Sequence, residues 1–298
     1  MRIRFFARPV GFPAVQPVVM ALGISAAILS GAVSVSGQAS GVAQNKPVAK
    51  PWPPNRLPDG QPDVQGTWGP VNGGTQSLTN PMYGAEFFQQ LASGRVTKKP
   101  SRIVDPPDGQ VPYQPWAAAK QKQQAYDWEH PTKPEHIDSQ SRCMMQGVPR
   151  PFYLASFRVL QPAGSVVFIW DTYKMFRVVP LDGHPHVGPN LKLWMGDSRG
   201  HWEGNTLVID VTNLNAKFRL SIDGEFFSDK VHIVERLNFM DASTMNYEAT
   251  IEDPTVFTRP WTIRVAERRL PDEEAWESAC HEGERSSDLT LITDTEKK

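Results

Sequence analysis

The chain has 298 residues, 40% hydrophobic and 10% aromatic, enough apolar content to bury a sizeable core in one large or two small domains and to exclude whole-chain disorder. Its 31 Lys and Arg against 32 Asp and Glu leave a net charge of -1, so it lacks the electrostatic footprint of a nucleic-acid or anionic-lipid binder. Proline is unusually frequent, at 27, beside 9 Trp.

The first elements concern the chain's address. Arg2, Arg4 and Arg8 precede an apolar, small-residue stretch from Val18 to Val35, and Ser36-Gly37-Gln38-Ala39 supplies small residues suited to a signal peptidase. Residues 1–37 are therefore expected to be a cleaved secretory signal, with a retained N-terminal anchor as the alternative. Removal of three arginines leaves a mildly acidic mature chain, expected in the periplasm or secreted without stable membrane insertion. Residues 38–56 are polar and proline-rich, an extended linker.

Residues 57–150 carry scattered apolar positions and are expected to wrap over a core formed elsewhere. Pro58-Asp59-Gly60 is turn chemistry, Gly66 to Gly69 can form one short strand, and Tyr83 to Leu91 and Trp116 to Trp128 read as short helices. From 151 to 298 the texture changes to short apolar or alternating runs at intervals near ten residues, the pattern of a curling antiparallel sheet. The predicted strands are Ala155–Gln161, Ser165–Asp171, Tyr173–Leu181, Leu191–Asp197, Thr206–Asn213, Lys230–Asp241, Thr244–Glu252 and Trp261–Arg268. The expected fold is thus mainly β, an antiparallel up-and-down, lipocalin-like barrel wrapped by an irregular segment, with an open sandwich as the alternative.

Alternation along strands isolates the polar residues that share an apolar face. Glu235 lies in phase with Val231, Ile233, Leu237 and Phe239. Arg177 shares a face with Tyr173, Met175 and Val179, and Asp197 closes the row Leu191, Leu193, Met195. A buried ion is costly unless paired, so Arg177 is expected to meet Glu235 or Asp197, either as a structural pin or as part of a catalytic lumen. In the second case Glu235 and Asp197 are acid and base, His186 carries protons at the mouth, and Arg177 orients a carboxylate or stabilises an anion. Trp170, Phe168, Tyr173 and Tyr247 then hold a small apolar or aromatic molecule.

His184, His186 and His201 make a weak metal-ligand pattern, because their spacing fixes no coordination geometry. Gly196-Asp197-Ser198-Arg199-Gly200 reads as a turn. The absence of G-x-S-x-G, G-x-G-x-x-G and P-loop motifs removes support for α/β-hydrolase, dinucleotide and nucleotide enzymes, and no cofactor is expected. Cys143 and Cys280 are the two cysteines, and in an exported chain they favour a single disulfide over a metal or nucleophile role.

The run Trp194-Met195-Gly196-Asp197-Ser198-Arg199-Gly200-His201-Trp202-Glu203-Gly204-Asn205-Thr206-Leu207-Val208-Ile209-Asp210, with Val234-Glu235-Arg236, Arg259-Pro260-Trp261 and Ala279-Cys280-His281-Glu282-Gly283, resembles a large family of secreted bacterial proteins that mostly carry no assigned function. The likeness covers nearly the whole mature chain. His186, Asp197, Arg199, Glu203, Glu235 and Arg236 match the family pattern, whereas the positions of His184 and His201 vary in it, which weakens a metal site needing both. The reading that results is an exported, cofactor-free lyase, isomerase or hydrolase, with a small-molecule binding protein of the same barrel as the alternative.

Overall fold

Side chains that alternate inward and outward at period two build this molecule. A computed structural model describes residues 54–71, 77–79, 100–172 and 175–274; the expected signal and most of the expected linker, the expected helix at 83–91, Tyr173 and Cys280 lie outside them. Among the described residues ten strands form one antiparallel sheet: β1 (Gly66–Pro70), β2 (Ile103–Asp105), β3 (Phe157–Leu160), β4 (Ser165–Trp170), β5 (Phe176–Pro180), β6 (Asp197–Glu203), β7 (Thr206–Thr212), β8 (His232–Phe239), β9 (Thr244–Glu252) and β10 (Trp261–Arg269). Nine of them run in the order β5-β4-β3-β1-β10-β9-β8-β7-β6 and curl into a nearly closed barrel, while β2 pairs with β10 off this path. Among the described residues no helix is long and apolar enough to cross a membrane.

The barrel differs from a simple eight-strand meander in two places. A ninth strand, β1, enters from the N-terminal segment and bridges β3 and β10. Its Trp68 is fully buried, meets Phe239 edge-on at 5.5 Å and lies under the Arg269 guanidinium at 4.9 Å. Burying one Trp removes roughly 150–250 Å² from water, which explains why a five-residue strand is drawn out of an otherwise irregular stretch.

The second difference is the seam between β5 and β6, which share no ladder. A Cβ on Gly200 would stand 2.7 Å from Val179 and 2.9 Å from Leu181, so the bare β6 backbone packs directly on β5 side chains there. The expected strand Leu191–Asp197 is corrected by the same region. Residues 191–196 form a loop with a single bridge, Leu193 to Leu214, and β6 begins at Asp197. Leu191 and Leu193 are 52% and 38% exposed, and Gly196 has φ +72°, a conformation that interrupts a strand. The Gly-Asp-Ser-Arg-Gly run is the opening of a strand and not a turn.

The barrel interior is filled with side chains. A short 3-10 turn, Arg150–Tyr153, inserts Phe152, which stacks on Tyr247 at 4.1 Å and meets Phe157, Phe168 and Trp170 edge-on at 5.2, 5.6 and 5.3 Å. Val166, Ile209, Ile233, Leu237 and Ile251 complete this core. Helix α1 (Pro115–Glu129) starts with proline at its first turn and buries only Ala117. It lies against the β7–β8 connection, where Gln121 donates to the Asp223 carbonyl.

Candidate functional site

Strand alternation places Arg177 and Glu235 inside, and they meet. Arg177 Nη2 lies 2.5 Å from Glu235 Oε2, its Nε donates to Ser198 Oγ at 2.8 Å, and the Tyr247 hydroxyl donates to Glu235 Oε1 at 2.6 Å. Both carboxylate oxygens are thereby occupied. Arg177 on β5 reaches Ser198 on β6 and Glu235 on β8, so one side chain clasps the seam that no ladder closes. Burial, and then the neighbouring Glu235 charge, push the Tyr247 phenol well above its ordinary value, so it remains a hydrogen-bond donor. Glu235 and Tyr247 are fully buried and Arg177 is 3% exposed, with Phe152, Phe168 and Trp170 packed around them. Ser198 was hidden in the sequence because its run reads as a turn.

Asp197 does not join this network. Because β6 begins at Asp197, Ser198 and Gly200 point inward while Asp197 and Arg199 face out. The correction is one of phase: a strand starting at Asp197 and one ending there differ in which face it occupies. Outside, Asp197 Oδ2 lies 2.7 Å from His186 Nδ1 and accepts the Val187 amide at 3.0 Å, while Arg199 Nη2 contacts its other oxygen at 3.2 Å.

The opposite edge of the His186 ring extends the arrangement. His186 Nε2 lies 2.7 Å from Asp210 Oδ1 on β7, and Asp210 Oδ2 lies 2.7 Å from His232 Nε2 on β8. The result is a continuous carboxylate–imidazole chain, Asp197–His186–Asp210–His232. Its members range from 12% exposure at the Asp197 side chain to 39% at His232 and 43% at Asp210. Burial alone would raise Asp210, but hydrogen bonds from His232 and His186 outweigh it and hold its carboxyl below the ordinary value. An ionised carboxylate only accepts hydrogen bonds, so Asp210 accepts from His186 Nε2 and His232 Nε2. Asn213, at φ +62°, donates to the Gly188 and Leu191 carbonyls at 2.9 Å each and pins the His186 loop over β7. His232 escaped the sequence reading, although alternation puts it on the outward face, because the register that brings it beside Asp210 is a tertiary property.

The three histidines with a metal-like pattern are held separately. His184 pairs with Asp182 at 2.8 Å, His201 with Glu203 at 3.2 Å, and His186 with the two carboxylates above. Among the described residues no group of three His, Cys, Asp or Glu side chains is arranged to hold a metal ion. Tyr173 and Cys280 lie outside the described residues; Cys143 sits at the end of a short 3-10 turn with φ 59°.

Further buried charge was not legible in the sequence. Arg150, fully buried, contacts Asp138 at 2.9 Å. Glu225 is hydrogen-bonded by Ser221, and burial followed by the Asp223 charge raises its carboxyl to about 7. Glu267, 1% exposed on β10, has no hydrogen-bond partner for either oxygen among the described residues. Burial raises it well above its ordinary value, opposed by Arg102. No protein-family model, curated protein or solved structure matches this chain.

Proposed function

We propose that the protein is an exported, cofactor-free catalyst of acid–base chemistry on a small apolar or aromatic molecule, and that this chemistry belongs to the outer carboxylate–imidazole chain. The observation that carries this reading is His186 held between Asp197 and Asp210 with His232 on Asp210's second oxygen. A carboxylate behind an imidazole fixes the ring's orientation and supports the cation that forms when it takes a proton. His232 Nε2 is engaged by Asp210, so Nδ1 is the ring atom left to meet substrate. It takes a proton from carbon or water, the imidazolium is balanced by Asp210, and the same proton returns to product. Such a group contributes about 10²–10⁴-fold. His186, Asp197 and Arg199 act as positioning residues behind it.

The address follows from the N-terminal arginines, the apolar stretch and the small residues at 36–39, together with the resemblance to secreted bacterial proteins. We propose periplasmic or extracellular residence and one Cys143–Cys280 disulfide. Intact mass of the exported protein tests both, through loss of residues 1–37 and a deficit of two hydrogens reversed by reductant.

A second reading is a binding protein without turnover: Glu235 and Arg177 are buried as a rigid scaffold, and the ligand would then lie outside the filled interior. The deciding experiment incubates the exported protein in D₂O with small aromatic ketones, esters and epoxides, and follows exchange or conversion by mass spectrometry. Acid–base catalysis predicts turnover of at least one compound and a loss of about 10²–10⁴-fold in His232→Gln and Asp210→Asn. No altered compound supports binding alone, and unchanged rates in both variants would place the turnover outside the outer chain.

A further inference from the structure

Helix α1, the short turn that follows it at Lys133 to His136 and the β7–β8 connection line an open recess of about 290 Å³ that neither the interior network nor the outer chain uses. Its floor is apolar, formed by Phe218, Phe226 and Phe227, which are 4%, 5% and 4% exposed. Its rim is basic, with Lys120 and Lys133 on one side and Lys217 and Arg219 on the other.

Four fixed cations face two carboxylates, Asp127 and Glu135. Asp127 is already engaged, by Gln123 at 2.8 Å and His136 at 3.6 Å. Among the described residues none of the four cations forms a salt bridge. Lys120 Nζ lies 4.4 Å from the centre of the Phe226 ring, so positive charge stands directly over the apolar floor. Arg219 Nη2 reaches only the Glu135 carbonyl, at 3.4 Å, and its Nη1 is buried with no hydrogen-bond partner among the described residues. A charged rim above an apolar floor selects a ligand with the same division.

We propose that this recess binds a small carboxylate with an aromatic or branched aliphatic body, the carboxylate on Arg219 and Lys217 and the body against Phe226 and Phe218. The volume stands at the lower end of the roughly 300–1,000 Å³ usual for ligand sites, which suits a single ring system better than a long chain. Arg219 through Nη2 and Lys217 through its ammonium offer a carboxylate charge-assisted hydrogen bonds, and the phenylalanine floor disfavours a strongly hydrated ion such as free phosphate.

The test is calorimetric titration of the full exported protein with 2-naphthoate, its neutral analogue 2-naphthalenemethanol, and inorganic phosphate. The site predicts saturable binding of 2-naphthoate, the neutral analogue about tenfold weaker or more, and no displacement by equimolar phosphate. Arg219→Gln and Lys217→Gln each lower 2-naphthoate affinity about three- to tenfold, whereas Arg264→Gln, on the outer face of β10, leaves it unchanged. Lys217 is exposed, so its variant decides the matter should Arg219→Gln fail to fold. Equal binding of the neutral analogue, displacement by phosphate, indifference to both substitutions, or no binding would each overturn the proposal. His232→Gln binds 2-naphthoate like the unaltered protein, which keeps this test separate from that of the acid–base chain.

Discussion

Replacing Glu235 with Gln keeps the shape of the interior network and removes its negative charge. Arg177 then carries an unmatched guanidinium at 3% exposure, 2.5 Å from a neutral oxygen or amide where a carboxylate stood. Removing one member of a buried pair costs about 3–5 kcal/mol, because the remaining charge stays withdrawn from water. For a domain of this size each kcal/mol shifts the melting midpoint by about 2–4 °C, so a fall of roughly 6–20 °C is expected. Replacing both partners with apolar residues, Arg177→Met with Glu235→Leu, removes the orphaned charge and returns much of the loss. The assay is urea unfolding read by tryptophan fluorescence, to which the buried Trp170 and Trp68 contribute, with the single and double variants closing a cycle. A loss below about 1 kcal/mol in Glu235→Gln, the range of exposed pairs, would refute the view that this pair clasps the β5–β6 seam.

Phe152→Ala empties the centre of the aromatic core and should cost about 3–5 kcal/mol in the same assay. Gly147→Ala places a Cβ 2.1 Å from the Phe218 ring at φ +63°; it should destabilise by more than the roughly 1–3 kcal/mol of a strained backbone alone, read as a lowered urea midpoint. Asp210 has a depressed carboxyl pKa, so its stabilisation is present above the ordinary value of 3.8 and lost as pH falls through the lower folded value. Hydrogen exchange at the Val187 amide, beside His186, should accelerate over that acid range in the unaltered protein and be fast throughout in Asp210→Asn. Glu225 is shifted the other way: the stability from its neutral form is whole below 4.5 and lost as pH rises through about 7. Glu225→Gln should therefore flatten the melting midpoint across that range and exceed the unaltered protein at about pH 8; an unchanged slope would contradict this assignment.

Eight of the nine expected strands, the short one at Gly66 to Gly69 included, correspond to observed ones, and for the longer ones the period-two pattern is long enough to override local ambiguity. The same periodicity put Arg177 and Glu235 on inward faces and let the cost of a buried charge bring them together. It failed at Leu191–Asp197, where three apolar residues in alternation belong to a loop held by Asn213, and the small residues of β6 masquerade as a turn. That one error moved Asp197 from the outer face to the lumen. Trp68 shows what a local pattern leaves open: the short strand expected at Gly66 to Gly69 is present as β1, but its place between β3 and β10 is a tertiary property. The chain from Asp197 to His232 draws on a loop and three strands, so no local pattern could reveal it.

The most direct test of the proposed chemistry compares Glu235→Gln with His232→Gln on a compound found to be converted in the D₂O screen, with rates corrected for folded fraction. The outer chain predicts that His232→Gln is nearly inactive while Glu235→Gln, though less stable, turns over normally per folded molecule. Normal turnover in His232→Gln with loss in Glu235→Gln would return the chemistry to the barrel interior and contradict the account.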